Sequence, residues 1–182
     1  KIQDTLDKVE SAYAVTSKID TKRLEKPEEF EGHFDPHIWF DVTLWVDTVV
    51  AVVEGLSKAD SAHAAEYKKN GEATKVKMNA LHEWALAKVG ELPKAKRILI
   101  TSHDAYNYFG RAYGFKVVGL QGISSVGEAS LADIAKMVDF IKENKVKAVF
   151  VESSVSPAAI ERISEDSGAK IGGELFSDAM GE

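Results

Sequence analysis

The sequence predicts an α/β protein, because helices and strands alternate through the second half of the chain. From residue 94 onward, short apolar runs separate amphipathic helical patterns, and this alternation is typical of parallel strands with flanking helices. A second observation is a long helical pattern without internal proline over 61–90. At about 1.5 Å per residue such a helix is about 45 Å long, which is enough to bridge two lobes.

The composition limits the kind of protein this is. The 182 residues are 45% hydrophobic and 29% charged, with a formal net charge of -6 and no cysteine. The acidic balance argues against a nucleic-acid partner. The lack of cysteine excludes disulfide frameworks, zinc ribbons and thiol catalysis, so a metal ion would have to be bound by His, Asp or Glu. No apolar run approaches the roughly 18 residues that a bilayer crossing needs.

The first sixty residues predict two helices with a loop between them. Apolar residues recur at helical spacing over 1–15, whereas 16–34 is polar and irregular and predicts a loop. Asp35-Pro36 is a helix-start signal, because Asp caps helices and Pro suits the first helical position. A helix is therefore predicted over 37–56.

The second half predicts four strands and three helices. The predicted strands are 97–101, 116–120, 148–151 and 170–175. The predicted helices are 106–113, 131–144 and 157–167. Gly114 and Gly168 follow two of these helices, as is usual at helix C-termini.

Three residues of metal-ligand type come after predicted strands. His103 and Glu152 lie just beyond the first and third strands, and Asp178 follows the fourth. Ligands bind at the carboxyl ends of the strands in parallel sheets, so these three side chains are expected at one edge of the sheet.

Each of these residues also has a structural interpretation. The residues beside His103 could cap the next helix and leave the imidazole a bystander, and Asp178 alone has the pattern of a helix cap. Glu152 could be a ligand, a hinge acceptor or a cap, and we favour a supporting role. His63 and His82 are expected in exposed or packing positions. The tryptophans are expected in the core: Trp39, Trp45 and Trp84.

His37 is a further candidate, directly after Asp35-Pro36. An isolated histidine is more often solvated or at the edge of a core. His33 lies four residues earlier, but Asp-Pro interrupts a helical His-x3-His pair, so His33 is expected in a loop. Asp41 could orient the imidazole of His37, or it could be an ordinary acid in the first turn of the helix.

Four motifs carry a family resemblance. They are Asp-Pro-His-Ile-Trp-Phe-Asp at 35–41, Ser-His-Asp-Ala-Tyr-Asn-Tyr-Phe at 102–109, Phe-Val-Glu-Ser-Ser at 150–154 and Leu-Phe-Ser-Asp at 175–178. Any one of them is modest, but the ordered set is specific. With these motifs the chain resembles the cluster A-I metal-binding solute-binding proteins of ABC transporters, which take up zinc or manganese.

The resemblance implies two lobes of parallel sheet with flanking helices, joined by one long rigid helix. On this basis 1–60 is the remainder of the N-terminal lobe, 61–92 is the linking helix and 93–182 is the C-terminal α/β lobe. The family's first ligand, a histidine well before the Asp-Pro-His motif, has no counterpart here, and neither has its final helix. The N-terminal lobe is therefore expected to be incomplete in this chain.

The resemblance also implies a metal ion between the lobes. The histidine of the family's Asp-Pro-His-x-Trp motif corresponds to His37, the ligand after the first C-terminal strand to His103, and the late aspartate to Asp178. Glu152 corresponds to the glutamate of a Phe-x-Glu segment, with a supporting role. Three ligands in place of four would leave the site weakened or completed by water.

The expected function is high-affinity capture of Zn(II), with Mn(II) next, outside the cytoplasmic membrane and delivery to an ABC permease. Imidazole with carboxylate suits both ions, and a histidine at position 103, where some relatives have Glu, favours zinc. We expect a monomer that is periplasmic or extracellular, free or lipid-anchored, and not an enzyme. Two alternatives stay open: a zinc-dependent hydrolase using the same ligands plus water, and an interaction domain in which these residues only cap helices.

Overall fold

The computed structural model describes residues 5–6, 8–9, 12–30, 32–123 and 129–181. The helix predicted over 1–15 falls partly outside these ranges, and its described end at 12–14 is not helical. The segment predicted as a loop over 16–34 contains short 3-10 turns. They are Val15–Lys18, Thr21–Arg23 and Glu28–Phe30.

The helix predicted from residue 37 begins five residues later than expected. A 3-10 turn precedes helix α1, and the two span Ile38–Phe40 and Val42–Ala59. Asp41 caps α1, since its side chain accepts a hydrogen bond from the N–H of Thr43. Asp35 does not cap this helix, because its carboxylate accepts the backbone N–H of His37. The Asp-Pro signal therefore marks a tight turn ahead of the helix.

Helix α2 spans Ala64–Gly90, in agreement with the predicted long helix, and is about 40 Å long. It packs along α1, and Gly71 lies at a close approach of the two helices. A Cβ at Gly71 would lie 2.5 Å from Cγ2 of Val53 and 3.4 Å from Cγ1 of Val49. A glycine that costs the isolated helix roughly 1 kcal/mol relative to alanine thus permits the packing of α2 on α1.

After α2, strands alternate with helices, and their ends lie within two residues of the predicted ends. The strands are β1 Ile98–His103, β2 Lys116–Gln121, β3 Ala148–Glu152 and β4 Lys170–Leu175. The helices are α3 Asn107–Tyr113, α4 Leu131–Asn144 and α5 Ala158–Ser167. Gly114 and Gly168 end α3 and α5 in the left-handed conformation, with φ of 73° and 78°, which a residue with a Cβ adopts less readily.

The strands form two parallel pairs, β1 with β2 and β3 with β4. β1 lies beside β3, and Ile100 and Val149 from these two strands are fully buried against α4 and α5. At the carboxyl end of β1 the N–H of His103 bonds the side chain of Glu152. The carboxylate of Glu152 thus accepts a backbone N–H that, in a continuous sheet, would bond to a neighbouring strand.

The described residues before α2 contain helices and turns but no strand. The predicted limits of the lobes and the linking helix, 1–60, 61–92 and 93–182, stay a prediction. Within the described ranges, none of the helices is both long and apolar enough to cross a membrane.

We expect Gly71→Ala to destabilise the protein although alanine favours helix. The new Cβ would clash with the stiff side chain of Val53, so the two helices must separate at a cost of about 1–3 kcal/mol. Gly90→Ala is the matched control, because a Cβ there meets nothing within 4 Å, and it should leave the stability unchanged or raise it by up to about 1 kcal/mol. Chemical denaturation of both variants measures this, and equal stability of the two would contradict it.

Candidate metal centre

Three of the predicted ligands meet at one place in the structure. Ligand atoms of His37, His103 and Asp178 all lie within 4.8 Å of one another. Both imidazoles are buried, whereas the side chain of Asp178 is 37% exposed. His37 comes from the turn before α1, His103 from the end of β1 and Asp178 from the segment after β4. The cluster therefore joins the first part of the chain to the strand ends of the second.

His37 is held at its Nδ1 side by Asp35. Nδ1 lies 2.7 Å from Oδ1 of Asp35, and the same oxygen accepts the backbone N–H of His37 at 2.9 Å. Asp35 is fixed in turn, because it is buried and its carbonyl accepts a hydrogen bond from the hydroxyl of Tyr108 at 3.1 Å. Nε2 of His37 then lies 3.6 Å from Oδ1 of Asp178. The possible partner predicted for this ring, Asp41, caps α1 instead.

His103 is held by Glu152 in a similar way. Oε1 of Glu152 accepts the backbone N–H of His103 at 2.9 Å, and Oε2 lies 2.7 Å from Nδ1. The second contact places the carboxylate directly beside Nδ1 of the buried ring. Nε2 of His103 lies 3.4 Å from Oδ2 of Asp178. Glu152 thus contacts the far side of the imidazole and is not among the three converging residues.

Asp178 lies on the loop that follows β4. The hydroxyls of Ser154 and Ser177 each lie 3.3 Å from its Oδ2, and they bond each other at 3.0 Å. The carbonyl of Ser177 accepts a hydrogen bond from Nε1 of Trp39 at 3.0 Å. This bond ties the loop to the turn that follows His37.

The spacing of the three side chains suits a small divalent ion. Ligand atoms about 2.0–2.2 Å from a tetrahedral zinc lie about 3.3–3.6 Å from one another. Nε2 of His37 lies 3.6 Å from Oδ1 of Asp178, and Nε2 of His103 lies 3.4 Å from Oδ2. Each imidazole is thus at such a distance from a different oxygen of the carboxylate, and one set of three ligand atoms lies within 4.8 Å of one another. Because each Nδ1 faces a carboxylate, the ring proton belongs at Nδ1 and leaves the Nε2 lone pair available. The arrangement can therefore offer two nitrogen ligands and one carboxylate.

The charges of the site act on both His103 and Glu152. Burial lowers the pKa of His103, but Glu152, with Asp178 and Asp104, raises it by more, so the pKa lies above its ordinary value of 6.5. Burial raises the pKa of Glu152, but His103 and the hydroxyl of Ser177 bring it below its ordinary value of 4.5. Protons therefore compete with a cation for this imidazole near neutral pH.

The capping interpretations of Glu152 and of the residues beside His103 are wrong. The N-cap positions of α3 and α5 are Tyr106 and Pro157, and neither helix has a side-chain cap. The carboxylate of Asp104 instead accepts the backbone N–H of Gly119.

The other histidines lie outside the cluster. His33 is exposed in a non-helical segment. His63 is exposed, with Nδ1 2.7 Å from the carboxylate of Asp60. Nδ1 of His82 lies 3.2 Å from the hydroxyl of Tyr113 on α3. His63 and His82 thus agree with the exposed or packing roles predicted for them, and His33 agrees with the predicted loop. The core positions predicted for Trp84 and Trp45 are wrong, because these side chains are 59% and 36% exposed.

Two residues beside the cluster were missed in the sequence. The Asp-Pro pattern predicts Asp35 as a helix cap, but an aspartate also readily accepts the N–H of the residue two positions later, which here is His37. Helical spacing predicts Trp39 as a core residue, whereas its hydrogen-bond partner Ser177 lies 138 residues away. No local pattern could have revealed that second contact.

The fold and this cluster together define an α/β protein with a candidate metal site at the ends of its strands. The chain belongs to the family described as "Zinc-uptake complex component A periplasmic" (ZnuA), which it matches over residues 1–182. This membership confirms the predicted resemblance to the metal-binding solute-binding proteins.

Individual relatives agree with this family. The chain is 40% identical over 190 residues to the manganese-binding lipoprotein MntA of Bacillus subtilis (strain 168), covering 100% of this chain and 62% of the relative. It is 43% identical over 157 residues to the zinc-binding protein TroA of Treponema pallidum (strain Nichols), covering 84% and 51%. The solved structure of periplasmic zinc-binding protein TroA from Treponema pallidum matches with a TM-score of 0.93 and 38% identity, covering 100% of this chain and 66% of that one. The chain thus spans between about half and two thirds of these relatives, and the predicted α/β fold class is confirmed.

We expect Glu152→Gln to lower the pKa of His103, because the carboxylate next to Nδ1 is the main cause that raises it. In the parent protein the pKa of His103 is higher in the folded state than in the unfolded state. Protonated His103 therefore stabilises the fold below about pH 6.5, and this contribution is lost as pH rises through the folded pKa. NMR titration of the imidazole in metal-free protein measures the shift. Glu174→Gln, at an exposed position of β4, is the control, and equal pKa values in the two variants would contradict this interpretation.

Proposed function

We propose that this protein captures a divalent transition metal outside the cytoplasmic membrane and delivers it to an ABC permease. The observation that carries the proposal is the convergence of His37, His103 and Asp178 at spacings suited to one ion. The family match supports the same function, since its description is a periplasmic component of zinc uptake. The ion is the cargo, bound by two imidazole nitrogens and a carboxylate. We further propose that the carrier is a monomer, free or lipid-anchored; size-exclusion chromatography with light scattering tests its oligomeric state.

We propose Zn(II) as the preferred cargo, with Mn(II) next. Two of the three ligands are imidazoles, which suit zinc well, and at a given nitrogen and oxygen site zinc binds more tightly than manganese. The named relatives include a zinc-binding protein and a manganese-binding lipoprotein, which supports both ions as candidates. Competition between the two ions for the full-length protein decides their order.

Capture is favoured over hydrolysis by the surroundings of the cluster. The two buried carboxylates nearest the imidazoles, Asp35 and Glu152, are engaged with backbone N–H groups and with Nδ1 atoms. Both lie on the Nδ1 side of their imidazoles, away from the Nε2 atoms that would bind the ion, so neither is placed to act as a general base on a water bound to it. The names of the relatives, which are binding proteins and lipoproteins, also support capture. Stoichiometric zinc without esterase or phosphatase activity would distinguish capture from hydrolysis.

We expect His37→Ala and His103→Ala each to weaken zinc binding by the full-length protein at least tenfold, because each removes one ligand of the ion. Competition with a zinc chelator measures the affinity. His63→Ala is the matched control, since it removes an exposed imidazole at a helix junction and should leave the affinity unchanged. Parent-like affinity in both test variants would reject the proposed site.

Zinc affinity should fall on acidification, because an imidazole must lose its proton before Nε2 can bind a metal. The pKa of His103 lies above 6.5, so the loss should begin near neutral pH and approach tenfold per pH unit for this histidine below its pKa. Chelator competition between about pH 5.5 and 8 measures the profile. An affinity that stayed constant across that range would contradict ligation by these histidines.

A further inference from the structure

Trp39 contacts both segments that carry the proposed ligands. Its ring centroid lies 5.4 Å from that of His37, with the planes at 71°. Its Nε1 donates a hydrogen bond to the carbonyl of Ser177 at 3.0 Å, and Ser177 directly precedes Asp178. One side chain therefore contacts an imidazole on one side and the backbone next to the carboxylate on the other.

The direction of the indole N–H is fixed by packing. The ring of Trp39 lies against Phe40 and Trp45, at centroid distances of 6.1 and 6.5 Å. It also packs on the buried cluster that includes Leu44 and Tyr108. With aromatic neighbours and His37 around it, the indole cannot turn its N–H away from Ser177 without repacking this region.

Asp178 is the proposed ligand that depends most on such an anchor. Its side chain is 37% exposed, whereas those of His37 and His103 are 4% and 1% exposed. Its two hydroxyl contacts, from Ser154 and Ser177, are both long at 3.3 Å. Neither contact reaches the segment that bears His37, whereas the bond from Trp39 does.

We propose that Trp39 is a positioning residue for the metal site. Its N–H fixes the carbonyl of Ser177 and so sets the carboxylate of Asp178 against the two Nε2 atoms. This inference rests on the proposed function, because zinc affinity is the quantity that the positioning changes. A merely structural Trp39 would instead contribute to stability and leave the affinity of the folded protein alone.

The first test is Trp39→Phe in the full-length protein, with zinc affinity measured by chelator competition. Phenylalanine keeps an aromatic ring in the packing but removes the N–H donor. The loss of one hydrogen bond should weaken zinc binding about threefold to tenfold. Trp84→Phe is the matched control, because Trp84 is 59% exposed on α2, and it should bind zinc like the parent.

The second test asks whether Trp39 acts through Asp178. In an Asp178→Ala background, Trp39→Phe should cause no further loss of zinc affinity, because the carboxylate that the indole positions is already absent. Losses that add in the double variant would overturn the inference, since Trp39 would then act by another route.

The outcomes separate this inference from the proposed function. A parent that binds no zinc defeats both, whereas a parent that binds zinc and a Trp39→Phe variant of equal affinity defeat the inference alone. If Trp39→Phe fails to fold, benzothienylalanine at position 39 takes its place, because its sulfur replaces the N–H in a ring of nearly the same shape. The same threefold to tenfold loss is then expected, and an unchanged affinity overturns the inference.

Discussion

Two buried imidazoles depend on two buried carboxylates, and the rest of the site follows from these pairs. Asp35 and Glu152 each contact the Nδ1 atom of one histidine and accept that histidine's backbone N–H. A carboxylate used twice in this way fixes both the rotation of the ring and its tautomer, because a rotated ring would leave a buried negative charge without its partner. Each Nε2 atom is then directed toward the place where Asp178 lies.

Much of the fold could be predicted because its signals are local. Short apolar runs and the glycines after α3 and α5 defined the second half within two residues, and α2 was predictable because no proline interrupts it. The predicted start of α1 was wrong because an Asp-Pro pair is as suitable for a turn as for the start of a helix. There the carboxylate of Asp35 bonds His37, and Asp41 supplies the helix cap. Both of these bonds join residues only two apart, so the local sequence allows either aspartate to be the helix cap.

Part of the candidate site could likewise be predicted from the sequence, and part could not. His103, Glu152 and Asp178 could be placed near one another because parallel strands bring their carboxyl ends to a common edge, and that rule needs only the order of strands and helices. The bond from Trp39 to Ser177 spans 138 residues and joins two segments with no shared pattern. The pairing of Asp35 with His37 was not predicted for a different reason, because an aspartate before a proline is also typical of a helix cap.

The charge of the cluster suits an exchange of protons for a cation. Three carboxylates, Asp35, Glu152 and Asp178, surround two imidazoles. Without a cation, protonation of His103 offsets part of this negative charge, and its raised pKa expresses that tendency. A divalent ion offsets the same charge and displaces the proton, so binding and acidification oppose each other. The two histidines are buried and fixed, whereas Asp178 is partly exposed on a loop. The two buried imidazoles thus fix the geometry of the site, whereas the partly exposed carboxylate of Asp178 leaves it accessible to solvent. This arrangement suits the proposed capture and release of an ion.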